Sequence, residues 1–306
     1  MVQLTFYPLN NADTCLIELA DGRLMLVDYA HCKVVEDAEE PVVDLRKALE
    51  EKLKELNRTH IDIVLFTHAD RDHIRNASEF FWFDHAAVYQ GPDRIKISEL
   101  WVPAAFVLET ELDECARVIR QEARHRLNLG DGIRVFSTPG LLEGWLVDHG
   151  LSVESRQHLI SDAGTLVPSF SLTSDGVEFF VHSPFAHRDG DTLQSRNDGS
   201  VFLQVVFSVE GQQTSLMLGA DSEWEVLKEI VRITNYHNRP ERLLWDLFKL
   251  PHHCSSGVLA TDTPLPINFF LVATSSGLQK IRSLKRLKNL TVFQTYTLLF
   301  LIILML

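Results

Sequence analysis

The sequence predicts a layered α/β protein. Three observations lead to this prediction: β-rich segments near the N-terminus are separated by turn-forming residues, an amphipathic helical pattern follows at residues 41–56, and a buried apolar strand follows at residues 61–66. Strand, helix and strand in this order are typical of layered α/β architecture. With 306 residues, the chain can bury a full-sized core as one large domain or two small ones.

The N-terminal elements follow from apolar patterns and turn signals. Asp21-Gly22 has the signature of a tight hairpin turn between two strands. The helical segment places apolar residues at helical spacing and Glu and Lys on its other face, so it is predicted to lie on the surface. The strands predicted in this part span residues 2–7, 15–19, 23–28 and 61–66.

The rest of the chain has weaker patterns. Residues 222–232 predict a helix with Glu early and Lys and Arg late, as the helix dipole prefers. Residues 109–127 also predict a helix, whereas residues 137–150 are predicted to form a loop. Further strands are predicted at residues 177–182, 201–209, 215–218, 247–250 and 268–273.

The charge of the chain bears on its partners. The formal net charge is −13, and this sign repels nucleic acid at long range. A polyanionic substrate would therefore need bound cations, a local basic patch or a basic partner subunit. The charge favours a small substrate over long DNA.

The four cysteines bear on the compartment. They are widely spaced and include no CxxC pair, so neither a disulfide framework nor a cysteine-rich zinc site is expected. The N-terminal residues contain no basic segment followed by an apolar one, and no signal peptide is expected. We therefore predict a cytoplasmic protein without a membrane partner.

The strongest functional signal is the run HADRDH at residues 68–73, directly after a predicted buried strand. Imidazole and carboxylate are ligands of Zn²⁺ and, where carboxylates are more numerous, of Mn²⁺. Because a loop at a strand end can turn alternate side chains toward one point, His68 and Asp70 are expected to face one ion. Asp72 and His73 are expected to face a second ion nearby. A solvated polar loop would explain any one of these residues, but four in six positions favour a metal site.

Two later clusters fit the same site. In the run at residues 216–221, a strand ends in a turn of small residues and then Asp221. This carboxylate can bridge two ions, although an Asp before a helix is more often an N-cap. The run PHHCSS at residues 251–256 contains the adjacent histidines His252 and His253. A polar turn is the alternative interpretation of this run.

Short motifs follow one another in a fixed order along residues 1–277. They read NNAD at 10–13, LVDYA at 26–30, HADRDH at 68–73, NDGS at 197–200, AD at 220–221 and PHHCS at 251–255. In this combination the chain resembles the metallo-β-lactamase superfamily, most closely the soluble hydrolase domain of ComEC-type DNA-uptake proteins and their stand-alone relatives. The corresponding family motifs are a G-Q-G-D-like turn, L-I-D-x-G, H-x-D-x-D-H, N-x-x-S, G-D and P-H-H-G-S. Asp70 stands where the usual superfamily form has His, and this variant indicates the ComEC-type branch.

The resemblance implies an α/β fold of the metallo-β-lactamase type, an αββα sandwich formed as a single domain by residues 1–277. Residues 278–306 form a basic and then apolar tail. Its last part, residues 298–306, is too short to span a bilayer and is expected to pack against the domain as a strand or helix. A tail anchor or an exposed end is the alternative.

The resemblance also implies a centre for two divalent metal ions, Zn or Mn. The ligands implied for one ion are His68, Asp70 and Asp221. The ligands implied for the other ion are Asp72, His73, Asp221 and His252. The resemblance leaves open which of the two adjacent histidines, His252 or His253, is the ligand.

Catalytic roles are implied for three residues. Asp72 would be a ligand and a proton acceptor, and His253 would contact the substrate or the leaving group. Asn197 lies where the wider superfamily carries another metal-binding His, so it is expected to be a weaker ligand or a substrate contact. His182 and His187 are outside candidates, because a histidine beside a strand end is more often structural.

The implied function is that of a metal-dependent hydrolase of phosphodiesters, a nuclease or phosphodiesterase. A small-molecule ester or lactone hydrolase on the same fold is the alternative, and a non-catalytic interaction module that retains the fold is a third. Glycine is missing in four places where the family has it: in the first turn, after Tyr29, before Asp221 and after His253. Glycine at such places allows positive φ or close backbone approach, so the replacements indicate a diverged member.

Overall fold

The computed structural model describes residues 1–9, 12–32, 42–186, 195–254 and 290–294. Within these ranges, the strands form two sheets and the helices lie outside them. The strands are β1 Val2–Phe6, β2 Cys15–Glu18, β3 Leu24–Val27, β4 His60–Leu65, β5 Lys96–Pro103, β6 Ile133–Phe136, β7 Ile160–Ser161, β8 Val177–Ser183, β9 Phe202–Val209, β10 Gln212–Leu218, β11 Leu247–Lys249 and β12 Leu290–Gln294. The α-helices are α1 Leu45–Glu55, α2 Arg71–Ile74, α3 Ala77–Phe80, α4 Ala104–Leu108, α5 Glu114–Leu129, α6 Gly140–Asp148, α7 Val153–Arg156 and α8 Trp224–Tyr236.

The larger sheet has the strand order β12-β1-β2-β3-β4-β5-β6-β7. The pairs β1–β2 and β2–β3 are antiparallel, and the pairs from β3 to β7 are parallel. The smaller sheet has the order β11-β10-β9-β8, in which β11 is parallel to β10 and the other pairs are antiparallel.

The buried side chains separate into three layers of packing. Alternate residues of the two sheets, such as Leu4, Trp101 and Phe179, pack against each other in the central layer. The opposite face of the larger sheet packs against the helices, with Leu49 of α1 among the buried residues. The outer face of the smaller sheet packs on α8, where Ile230 is buried. This order of layers is an αββα sandwich, and the predicted fold class is confirmed.

The surface helices form where their apolar residues meet the larger sheet. Helix α1 buries Leu45, Leu49 and Leu53, the spacing that predicts it, and the Asp44 side chain caps it by accepting a hydrogen bond from the Lys47 N–H. Helix α6 contradicts the loop predicted at residues 137–150. Its glycines lower helix propensity and hide the pattern, but Leu142 and Leu146 are buried in the core and stabilise the helix.

One strand comes from the predicted C-terminal tail. Residues Leu290–Gln294 form β12, which pairs in parallel with β1 at the edge of the larger sheet. The strand predicted at residues 268–273 and the apolar run at 298–306 lie outside the described residues, and the domain boundary at residue 277 stays a prediction. In the described ranges, no helix has the length and apolar content that crossing a membrane requires.

The strand ends bring distant parts of the chain together. Val27 of β3 is paired with Leu65 of β4, and Leu218 of β10 is paired with Lys249 of β11, each in parallel register. The carboxyl ends of neighbouring parallel strands lie at the same sheet edge. The segments that follow these four strands contain most of the predicted site residues.

Candidate metal centre

The two histidines of the predicted metal loop are held through their Nδ1 atoms. His73 Nδ1 lies 2.7 Å from Asp28 Oδ2, and His68 Nδ1 lies 3.1 Å from Thr67 Oγ1. The Thr67 hydroxyl donates to Asp28 Oδ2 at 2.8 Å, so the network assigns a proton to Nδ1 of each ring. The Nε2 atoms of His68 and His73 are buried and have no hydrogen-bond partner. An imidazole oriented in this way is ready to bind a metal through Nε2.

Asp28 belongs to the candidate site but lies outside the predicted site set. It follows β3, is buried, and also accepts a hydrogen bond from the Thr67 N–H at 2.7 Å. Burial raises the pKa of Asp28, against the opposing influence of His73 and Thr67. The signal in the sequence is a carboxylate at the end of a buried strand, in the motif LVDYA. Its role is to orient His73, as a carboxylate behind a metal-binding histidine commonly does.

Asp221 lies at the centre of the cluster. Its Oδ1 is 3.1 Å from His73 Nε2, without hydrogen-bond geometry, and its Oδ2 is 3.9 Å from His68 Nε2. The same Oδ2 is 3.6 Å from His253 Nε2. Burial alone would raise the pKa of this carboxyl group, but the three histidines, His73 first, hold it well below its usual range. The buried carboxylate is therefore charged.

The two buried histidines differ in their tendency to take a proton. Burial, and then the charge of His73, hold the pKa of His68 well below its ordinary value. Burial also lowers the pKa of His73, but the carboxylates of Asp28 and Asp221 raise it well above its ordinary value. The neutral ring of His68 is therefore available as a ligand without loss of a proton, whereas His73 would have to release one.

His253 closes the site from the β11 side. His253 Nε2 lies 3.1 Å from Asp72 Oδ2, and His253 Nδ1 lies 3.6 Å from Asp13 Oδ2. Burial lowers the pKa of His253, but the neighbouring carboxylates of Asp13 and Asp72 raise it to about 9. Lys249 forms an ion pair with Asp13. Ligand atoms of four residues lie within 4.8 Å of one another, and these residues are Asp13, His73, Asp221 and His253.

The two adjacent histidines have different surroundings. The backbone N–H of His252 donates to the Ala220 carbonyl at 2.9 Å, and the centre of its ring lies 6.2 Å from that of His253. The ring of His253, by contrast, faces Asp72 and Asp221. The ligand role of His252 stays a prediction.

Asp70 lies at the outer side of the site. Its Oδ2 is 3.8 Å from His68 Nε2, and its Oδ1 accepts a hydrogen bond from Arg196 Nη1 at 2.9 Å. The neighbouring Asn197 donates through Nδ2 to Glu223 Oε1 at 3.3 Å, and its predicted role as ligand or substrate contact stays a prediction.

His182 belongs to another layer of the fold. Its Nε2 is 2.9 Å from the Arg242 carbonyl oxygen, and its ring contacts Phe180 and Phe202. Phe202 packs on the α8 side of the smaller sheet, so His182 has the structural surroundings expected of a satisfied core histidine. His187 lies outside the described residues.

The backbone around the site is tight. Four residues of the site have φ between 47° and 56°: Asp28, Ala220, His252 and His253. This left-handed conformation costs free energy for residues other than Gly. A Cβ atom added to Gly219 would lie 2.5 Å from Cγ of Pro251, so this glycine allows the β10 and β11 ends to approach each other.

The residues present fit a divalent cation. His68 Nε2, His73 Nε2 and Asp221 Oδ1 are buried polar atoms without hydrogen-bond partners, and the carboxylates beside them supply negative charge. Nitrogen and carboxylate oxygen are the donor types that zinc and manganese bind. Fold and cluster together define an α/β sandwich with a candidate metal centre at the ends of its strands.

No family model matches the sequence, and no curated protein matches it. Solved structures match the fold. A Thermotoga maritima protein described as a candidate metallo-β-lactamase is 17% identical, with a TM-score of 0.35, over 81% of this chain and 94% of that one. A quorum-quenching N-acyl homoserine lactone lactonase is 9% identical, with a TM-score of 0.36, over 78% of each chain. A class B3 di-zinc metallo-β-lactamase from an Alaskan soil metagenome is 11% identical, with a TM-score of 0.30, over 77% of this chain and 70% of that one. At these values the similarity adds nothing to the geometry of the site.

Proposed function

We propose that the protein is a metal-dependent hydrolase that uses two divalent ions, Zn or Mn. The observation that carries this proposal is the convergence of His68 Nε2, His73 Nε2 and Asp221 Oδ1, all buried and without hydrogen-bond partners. Leaving a buried polar group unpaired costs about 1–3 kcal/mol. A cation at this point would satisfy all three atoms at once.

The chain offers ligands for two positions that share Asp221. One position has His68, Asp70 and Asp221. The other has Asp72, His73, Asp221 and one of the adjacent histidines, His252 or His253, with Asp13 beside it. A bound pair of divalent cations supplies Lewis-acid polarisation of a substrate oxygen and stabilises negative charge that develops on the substrate.

With His252 as the metal ligand, His253 and Asp72 are the residues placed to move a proton. Their side chains are partly exposed, and Nε2 and Oδ2 lie 3.1 Å apart. A proton can therefore be held between these two atoms and delivered to a leaving group at the mouth of the site. Lys249 holds Asp13, which keeps the Nδ1 side of the His253 ring next to a fixed carboxylate.

For the substrate, we propose a phosphodiester. The carboxylate-rich donor set and the ComEC-type motifs support this class. The net charge of −13 supports a small phosphodiester over long DNA, unless a basic partner subunit contributes the binding groove. The same charge favours the second candidate, a small-molecule ester or lactone hydrolase. Cys15, Cys32 and Cys115 form no disulfide, which supports our further proposal of a cytoplasmic location.

The test joins metal content with activity. Elemental analysis of the purified protein is combined with turnover of bis-(p-nitrophenyl) phosphate, a carboxylic ester and a lactone in Zn²⁺, Mn²⁺ and Mg²⁺. We expect about two equivalents of bound metal and chelator-sensitive cleavage of the phosphodiester. Cleavage of the ester or lactone alone would replace the substrate proposal. A protein that binds no metal and cleaves nothing would be the non-catalytic interaction module.

A further inference from the structure

Arg196 holds the outer side of the metal centre. Its guanidinium donates from Nη1 to Asp70 Oδ1 at 2.9 Å, from Nε to Glu109 Oε1 at 2.7 Å, and from Nη2 to the Glu111 carbonyl at 2.8 Å. Each nitrogen of the guanidinium is thus used within the protein. Arg196 therefore acts as a clamp, by which we mean that its guanidinium holds Asp70, Glu109 and Glu111 together. None of its nitrogens is left without a protein contact for binding a substrate anion.

The clamp determines which oxygen of Asp70 faces the site. With Oδ1 held by Arg196, the other oxygen, Oδ2, lies 3.8 Å from His68 Nε2. His68 Nε2 is in turn 3.9 Å from Asp221 Oδ2 and has no hydrogen-bond partner. Within the described ranges, Arg196 and His68 are the only ion-pair partners of Asp70. Without Arg196, this partly exposed carboxylate would be free to rotate into solvent.

The charge of the clamp is offset by a second carboxylate. A guanidinium beside a cation site would repel an ion. Glu109 Oε1 lies 2.6 Å from Arg196 Nη2, and its side chain is half-buried. Because Glu109 balances the positive charge, Asp70 keeps its own negative charge for an ion.

We propose that Arg196 is a positioning residue for the metal position formed by His68, Asp70 and Asp221: it fixes Asp70 so that Oδ2 points toward His68, and Glu109 compensates its charge. This inference rests on the two-metal centre proposed above. Loss of an outer partner that orients a metal ligand typically weakens metal binding by about 10- to 100-fold. The ligands of the other position do not include Asp70, so its affinity should not change.

The test is calorimetric titration of chelator-treated protein with Zn²⁺, with elemental analysis after dialysis. Wild type should bind two equivalents. Arg196→Ala should bind one equivalent with wild-type affinity, at the position without Asp70, and the other about 10- to 100-fold more weakly, at the position that contains Asp70. Arg196→Lys should resemble Arg196→Ala, because an ammonium group keeps the charge but cannot span three acceptors. The matched control is Arg232→Ala, which removes an arginine from the exposed pair with Glu229 on α8 and should bind like wild type.

Two results would overturn the positioning role alone. One is an Arg196→Ala protein that binds both equivalents as wild type does or more tightly, and the other is full rescue by Arg196→Lys, which would mean that charge suffices. A wild-type protein that takes up fewer than two equivalents would overturn both this role and the two-metal centre. Urea unfolding of the metal-free proteins checks that the Arg196 variants are as stably folded as the Arg232→Ala control.

Discussion

The inner and outer halves of the candidate metal centre are held in different ways. In the inner half, the side chains of Asp28, His73 and Asp221 are 3%, 0% and 4% exposed, and buried groups fix them. In the outer half, the side chains of Asp70 and Arg196 are 36% and 34% exposed, and surface ion pairs hold them. Buried networks have fixed geometry and large penalties for loss, whereas exposed pairs contribute little to stability. Changes in the inner half should therefore affect folding and metal binding together, and changes in the outer half should affect metal binding alone.

The largest effect is expected for Asp28→Ala. The substitution removes the acceptor of the Thr67 N–H, the Thr67 hydroxyl and His73 Nδ1, all in a buried place. Breaking a buried charged pair by removing one partner costs about 3–5 kcal/mol, and His73 loses the carboxylate that orients it. Urea unfolding and zinc titration should show lower stability and weaker metal binding.

The control for this prediction is Glu50→Ala, which removes one partner of the exposed pair with Arg46. It should change the free energy of unfolding by less than about 1 kcal/mol and leave metal binding unchanged. A stable Asp28→Ala protein with wild-type zinc affinity would contradict the claim that changes in the inner half affect folding and metal binding together.

A buried carboxylate away from the centre separates stability from metal binding. Glu122 on α5 accepts hydrogen bonds from Arg126 Nε at 2.7 Å and from the His85 backbone at 3.0 Å. Burial would raise the pKa of Glu122, but His85 and Arg126 lower it to about 2. Glu122→Gln should lose about 2 kcal/mol of stability at neutral pH and retain all bound metal.

The pH dependence of this prediction has a definite sign. Because the folded-state pKa of Glu122 is below its unfolded value of 4.5, the unfolded state binds more protons between these pH values. The stabilisation is present above pH 4.5 and is lost as the pH falls toward 2. Urea unfolding of wild type and Glu122→Gln at pH 7 and at pH 3 should therefore give a smaller difference at pH 3. An equal stability difference at both pH values would show that the stabilisation does not come from the lowered pKa of Glu122.

The smallest effect is expected for Ala220→Gly. Ala220 has φ of 47°, and replacement by Gly relieves a left-handed strain of about 1–2 kcal/mol while adding freedom to the unfolded chain. The free energy of unfolding should rise by up to about 1 kcal/mol with metal content unchanged. Asn57→Gly is the control: Asn57 has φ of 54°, but Asn tolerates this conformation, so the gain should be smaller. A destabilised Ala220→Gly protein would show that the Ala220 side chain matters more than backbone strain.

The same comparison explains how far the sequence predicts the site. The strands that precede the site and the run at residues 68–73 are contiguous in the sequence, so local patterns predict them. Asp13 ends the motif at residues 10–13, which predicted no metal ligand, and Lys249 and Arg196 lie in segments with no local metal pattern. Their positions follow from the pairing of β11 with β10 and from the packing of the turn at Arg196 against Glu109. The sequence did not predict helix α6 for a related reason. The segment has weak helix propensity, and the tertiary burial of two leucines stabilises it.

In the proposed two-metal centre, Asp221 is the residue that the two metal positions share. Two divalent ions bring repulsion that nearby anions must offset, and Asp221 faces His73 with one oxygen and His68 with the other. It also comes from a strand end far along the chain from the loop at residues 68–73.

The most direct test is zinc titration of Asp221→Asn and Asp221→Ala, with wild type alongside. Asp221→Asn keeps the shape of the buried side chain and therefore separates loss of charge from loss of packing. Both variants should bind fewer than two equivalents and lose at least about 100-fold in phosphodiester turnover, equivalent to about 3 kcal/mol of barrier. Asp221→Asn should unfold at nearly the same urea concentration as metal-free wild type. Variants that retain two equivalents of zinc and near-normal turnover would contradict the bridging role.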